Sequence, residues 1–154
     1  MIGADVLLTG TGGVGRDVLL ALLQRTPARV ALLMRDGTLD LGASDRARVD
    51  VLGGDSSAPN LALPADVRGR LAETLETIVH PSGATADVLM LAERCFMAGR
   101  LQRFVHVHGA AEDRMVRAAM NAGLPVTMIG PGINTTDHVV SAVVRAVSSD
   151  ARCA

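Results

Sequence analysis

Short apolar runs alternate with longer amphipathic stretches along the whole chain, and this alternation most constrains the fold. Asp5–Thr9 (DVLLT), Arg29–Met34 (RVALLM), Arg48–Leu52 (RVDVL), Thr77–His80 (TIVH), Arg103–His108 (RFVHVH) and Pro125–Gly130 (PVTMIG) read as strands. Gly15–Arg25, Leu63–Leu75, Ala86–Gly99, Ala111–Gly123 and Asp137–Ser148 read as helices. Pro64 stands near the start of one, where a missing N–H is tolerated, and Gly99 and Gly123 stand where helices stop. The polar stretch Arg35–Ala47 is expected to be a loop with weak structure. Strand–helix alternation calls for a parallel sheet. Right-handed crossovers then lead to a doubly wound α/β sheet of order 3-2-1-4-5-6, one domain over residues 1–154.

Composition narrows the function classes. The 154 residues are 49% hydrophobic and 20% charged, which suits one globular core. A formal charge of −1 offers no electrostatic basis for binding nucleic acid or an anionic membrane. No apolar stretch approaches a membrane span, and Met1 leads into a strand without a leader, so a cytoplasmic location is expected. The chain has no Trp, no Tyr and no Lys, and all 15 basic residues are Arg. A Schiff-base lysine and a tyrosine general acid are therefore excluded from these residues. Cys95 and Cys153 form no CxxC pair. Cys95, in an apolar helical pattern, is expected to be a small buried hydrophobe rather than half of a disulfide.

The first strand runs into TGTGGVG, which sets Gly10, Gly12 and Gly15 in G-x-G-x-x-G spacing before a helix. Such a loop makes a tight turn, lets the backbone approach a pyrophosphate and packs the helix close to the strand. The helix N-terminus then offers N–H groups and a positive dipole end. Arg35 ends the second strand, where an acidic residue would bind the ribose hydroxyls of NAD. An arginine there suits the additional phosphate of NADP, and Arg16 stands ready to assist. Asp36, one position later, keeps a ribose contact open. A doubly wound sheet binds ligands at the carboxyl ends of its strands. Gly10–Gly15, Asp55, His80–Gly83, His108 and Pro131–Asn134 all fall on that edge.

These residues together resemble the extended short-chain dehydrogenase/reductases, in particular the thioester reductase-like Rossmann domains of nonribosomal peptide and polyketide assembly lines. The resemblance runs through VLLTGTGGVGRDVLLALLQRT, ALLMR, RVDVLGGDSSAPNLALP, LETIVHPSGA, RFVHVHGA and AEDRMVRAAMNAGLPVTMIGPGI. It implies an NADP(H) site formed by Gly10, Gly12, Gly15, Arg16 and Arg35. Asp55 would lie near the adenine, and Pro131 and Gly132 near the nicotinamide. The departures are as informative. The strand that bears the family's serine ends here in His108-Gly109, the segment carrying Tyr-x-x-x-Lys is missing, and no Tyr or Lys stands elsewhere to replace the pair. The substrate-binding portion is also expected to be absent, since TTDHVVSAVVRAV follows Pro131-Gly132 almost at once.

Without the Tyr–Lys pair, proton transfer falls to histidine, whose ordinary pKa lies near ~6.5. His108 is the first candidate and His80, ending the neighbouring strand, the second. Ser82 is a candidate hydrogen-bond donor to a substrate carbonyl, with no G-x-S-x-G elbow around it. His106 and His108 share a strand face, which raises a metal reading, but no acidic or cysteine ligand completes the set and no metal is expected. Met90, Met97, Met115 and Met120 fit helix core or interface positions. Three functions remain. The leading one is a tailoring enzyme of natural-product or antibiotic biosynthesis that performs a non-redox step, such as cyclisation, dehydration or isomerisation, by histidine acid–base catalysis. The second is an NADP(H)-dependent reductase with His108 as proton donor. The third is a non-catalytic nucleotide-binding partner or sensor, and a chain that has lost its cofactor is compatible with the first. The substrate would be a small or carrier-bound polyketide or peptide, and a homodimer is expected.

Overall fold

The computed structural model describes residues 3–12, 14–35, 39–81, 83–107, 113–129 and 136–152. Six parallel strands form one sheet: β1 (Val6–Leu8), β2 (Val30–Met34), β3 (Val49–Gly53), β4 (Thr77–His80), β5 (Arg103–Val107) and β6 (Val126–Ile129). Their order is β3-β2-β1-β4-β5-β6, the order expected from the alternation with right-handed crossovers. The helices are α1 (Gly15–Arg25), α2 (Ala43–Arg46), α3 (Ala65–Thr74), α4 (Ala86–Met97), α5 (Asp113–Asn121) and α6 (Thr136–Arg152). The one-turn α2 lies inside the stretch expected to be a weakly structured loop. Among the described residues no helix is long and apolar enough to cross a membrane.

Side chains leave the strands alternately to the two faces, so each face has its own core. Val6 and Leu8 point to the face covered by α1 and α6, where Val18, Leu19, Leu22, Val140 and Val143 meet them. Leu7, Ile78 and Phe104 point to the other face, against Leu71 of α3, Val88, Ala92 and Cys95 of α4, and Val116 of α5. Interior strands are apolar on both sides because helices cover both sides. Edge strand β3 is less covered: Val49 is buried, but Val51, two residues on along the same face, is 55% exposed. Cys95 is fully buried, its Sγ 3.9 Å from the Leu71 carbonyl, and burial pushes its thiol up to about 11. The four methionines behave otherwise: Met90, Met97, Met115 and Met120 are exposed on α4 and α5, so their place is a surface and not the core.

Local chemistry sets the helix ends. α1 stops at Thr26, which precedes Pro27 and is extended (φ −135°), as the residue before a proline is driven to be. The Arg48 guanidinium then takes up the carbonyl groups at that end. Its Nη1 donates to Leu23 (2.7 Å), and its Nη2 to Thr26 (2.5 Å) and Ala28 (2.9 Å). Gly99 and Gly123 close α4 and α5 in left-handed conformation, at φ 80° and 108°.

Between β3 and α3 lies a feature that residue patterning does not announce. Asn60, Leu61 and Ala62 have φ of 53°, 61° and 53°, three consecutive left-handed residues without a glycine. Several contacts hold the turn. The Asn60 N–H donates to Asp87 Oδ1 (3.0 Å), the Leu61 side chain is buried, and the Leu61 carbonyl accepts from the Asp55 N–H (2.9 Å).

Candidate functional site

The carboxyl ends of β1, β2 and β3 enclose a cleft of about 180 Å³. Thr9, Gly10 and Thr11 form one wall, Met34 and Arg35 another, and Gly54, Asp55 and Ser56 the third. The glycine loop has the close packing that its spacing implies. A methyl group on Gly15 would overlap the Gly10 carbonyl oxygen and reach Pro81 Cγ at 3.3 Å. On Gly10 the same group would meet nothing within 4 Å, so this backbone is open to an incoming group. The Gly15 N–H donates to the Gly12 carbonyl (3.0 Å), closing the turn, and no side chain caps α1. The start of a helix without a side-chain cap, beside an open glycine backbone, is the geometry that receives phosphate. Arg16 is exposed on the first turn of α1.

Arg35 and Asp55 face each other across the cleft mouth, Nη1 to Oδ2 at 3.6 Å, with their side chains 75% and 25% exposed. The other oxygen of Asp55 accepts from the Ser57 N–H (2.9 Å) and hydroxyl (2.7 Å). The Ser57 hydroxyl, its backbone N–H and the Arg35 charge hold the Asp55 carboxyl below its ordinary value, against a smaller opposing effect of desolvation. A depressed carboxylate pKa means that the pairing is complete above the ordinary carboxylate range. It is lost only as pH falls through the lowered value. Asp55 therefore stays charged at neutral pH and holds Arg35 at the rim. Ser57 had no place in the sequence reading, although a serine two residues after an aspartate is the pattern of an Asx turn.

On the far side of β1 the structure places His80 wholly inside the protein. Its Nδ1 lies 2.6 Å from Thr9 Oγ1, and its Nε2 lies 3.1 Å from Thr85 Oγ1 and 3.3 Å from the Gly83 carbonyl. The ring stacks on His106, its register partner on β5, with centroids 5.7 Å apart and planes 21° apart. His106 is itself 2% exposed. Sequence reasoning missed Thr9 and Thr85. The signal was present: each is a hydroxyl residue at a strand end or helix start beside the histidine. His108, Ser82, Pro131 and Gly132 lie outside the described residues. Among the described residues no group of three His, Cys, Asp or Glu side chains could hold a metal ion.

Sheet order and glycine-loop packing define a doubly wound, Rossmann-like α/β fold. Solved structures share this fold. One is the terminal R domain of the myxalamid PKS-NRPS biosynthetic pathway, with a TM-score of 0.61 and 18% identity over 84% of this chain and 50% of that one. Another is the reductase (R) domain of a nonribosomal peptide synthetase from Mycobacterium tuberculosis, with a TM-score of 0.60 and 23% identity over 80% and 46%. A short-chain dehydrogenase/reductase from Burkholderia vietnamiensis gives a TM-score of 0.62 at 19% identity, over 95% of this chain and 92% of that one. In sequence, the chain is 28% identical over 126 residues to a shikimate dehydrogenase (NADP(+)) of Janthinobacterium sp. (strain Marseille). That match covers 80% of this chain and 42% of the dehydrogenase, so the chain spans under half of that relative and about half of the R domains. No family model matches the sequence.

Proposed function

We propose that this chain binds NADP(H) along its carboxyl edge and acts as a tailoring enzyme of natural-product biosynthesis on a reductase fold. The observation that carries the nucleotide part is the cleft itself: an open Gly10 backbone and a rim arginine line one cavity, beside a loop closed by the close-packed Gly15. These residues fit the group. The loop and α1 would hold the pyrophosphate, and Arg35, already oriented by Asp55, would meet the 2′-phosphate. The NADP-dependence of the shikimate dehydrogenase relative supports the same choice of nucleotide. When bound, NADP(H) supplies hydride donor and acceptor chemistry.

The reaction we assign is a non-redox proton transfer, namely cyclisation, dehydration or isomerisation, with His108 as acid and base. It is supported by the path from β5 through α5 to β6, residues 103–129, which contains neither Tyr nor Lys. The substrate class is a small or carrier-bound polyketide or peptide, by analogy with the assembly-line R domains. The second reading, an NADP(H)-dependent reductase with His108 as proton donor, is favoured by the same intact loop.

Calorimetric titration with NADP⁺ and NAD⁺ tests the nucleotide part. Arg35→Ala should weaken NADP⁺ by about 10- to 100-fold, the loss of a charge-assisted contact, and leave NAD⁺ unchanged. Absence of binding by either nucleotide overturns both the nucleotide assignment and the reductase reading. NADPH oxidation with a carbonyl substrate would replace the non-redox reading by the reductase one. Nucleotide binding without any turnover, unaltered by His108→Ala, would point instead to a sensor.

A further inference from the structure

We propose that His80 is a positioning residue that ties the phosphate loop to the β4–α4 turn through contacts on opposite sides of one buried ring. The geometry of the proposal is independent of any ligand; its consequence for affinity rests on the nucleotide reading above.

The ring sits between two segments of the carboxyl edge. Thr9, on its Nδ1 side, is the last residue before Gly10 and is 4% exposed. Its own N–H donates to the Val79 carbonyl (3.1 Å), so the start of the glycine loop is held to β4 by backbone and side chain together. Thr85, on the Nε2 side, is 1% exposed and precedes α4, whose Leu89 N–H donates to the Thr85 carbonyl (2.9 Å). Gly83 lies between, at φ 98°, and a methyl group there would come within 3.1 Å of Ser56 Oγ on the cleft wall. The contacts therefore run from glycine loop to β4 to the β4–α4 turn, which lies close to the cleft wall at Ser56.

The Gly83 carbonyl favours one proton arrangement. The Gly83 carbonyl only accepts, so Nε2 carries the hydrogen and donates toward Gly83 and Thr85. The Thr85 hydroxyl donates onward to Gly83 (3.4 Å), and Nδ1 accepts from the Thr9 hydroxyl, which lies closer to it (2.6 Å) than to its other acceptor, the Val79 carbonyl (3.5 Å). A ring in this tautomer fixes the rotamers of two threonines. Each of these belongs to a segment that must hold still for a dinucleotide to be gripped at both ends. A fully buried ring does not itself touch substrate, so its contribution is to position.

Two substitutions separate the two contacts. An asparagine amide reaches the place of Nδ1 but not that of Nε2, and a glutamine amide the reverse. In hydrogen exchange of the full chain without nucleotide, His80→Asn should speed exchange at least tenfold over residues 83–89 and spare residues 9–12. His80→Gln should do the opposite, and Thr9→Val should repeat the glutamine result should that variant not fold. With NADP⁺, both variants should lose at least threefold in affinity, and His80→Gln, which frees the glycine loop, at least tenfold. Nitrogen-15 NMR of the wild-type ring should show hydrogen on Nε2. Unchanged exchange in both variants, or a ring protonated on Nδ1 alone, would overturn the proposal. A wild type that does not bind NADP⁺ overturns the nucleotide reading instead, while the exchange pattern still decides the role of His80.

Discussion

Gly10 and Gly15 occupy the same loop and are needed for opposite reasons. Gly15 is pressed against the Gly10 carbonyl and Pro81, so any side chain must push α1 away from β1. Gly10 faces open space. Gly15→Ala is therefore expected to cost about 1–3 kcal/mol, as overpacking does, visible as a lower melting temperature. Gly10→Ala should leave the melting curve within about 0.5 kcal/mol of wild type yet weaken nucleotide binding. Equal melting losses in the two variants would contradict the packing described for Gly15. The spacing of these glycines was readable because backbone geometry imposes it. The place of Arg35 on the cleft rim was readable because it follows the second strand at the carboxyl edge of the sheet. The commitment of Asp55 to Ser57 and Arg35 was not, since hydrogen-bond choice among neighbouring polar groups depends on turn geometry. Nor was the locking of His80, because its partner Thr9 lies 71 positions away.

At the level of elements, periodicity fixed which segments are helices and which are strands, and the uncertainty collected at turns. The left-handed turn at Asn60–Ala62 is the clearest case. Asn60 alone has a local preference for this region; Leu61 and Ala62 have none, and tertiary contacts impose it. Ala62 is exposed and packs little, so Ala62→Gly should relieve the conformational penalty and stabilise by about 1 kcal/mol. A thermal or urea melt measures this, and an unchanged midpoint would count against a strained turn there. Arg48 acts one element further back. Its side chain caps α1 from the start of β3, three carbonyl groups for one guanidinium. Arg48→Met leaves those groups without the charged donor and is expected to cost about 2–3 kcal/mol in chemical denaturation. Arg48→Lys should recover only part, since an ammonium cannot span the same fork.

For the molecule as a whole, the sheet order followed from alternation and chirality, but the outer faces did not. Met90, Phe96 and Met97 of α4 and Met115 and Met120 of α5 expose apolar surface on one side of the sheet. The expected homodimer would bury this side. Met97, 83% exposed, is the most sensitive point. Met97→Glu should shift sedimentation toward a monomer with unchanged circular dichroism, and a wild type that is monomeric at all concentrations would remove the expectation. The core has a different consequence. It is built almost wholly of aliphatic side chains, with Phe104 its one fully buried aromatic residue, in a chain without Trp or Tyr. Such a protein is nearly dark in the near ultraviolet and has almost no emission of its own. Any reduced nicotinamide bound at the carboxyl edge would glow against a blank background, and its occupancy could be read by eye in a fluorimeter.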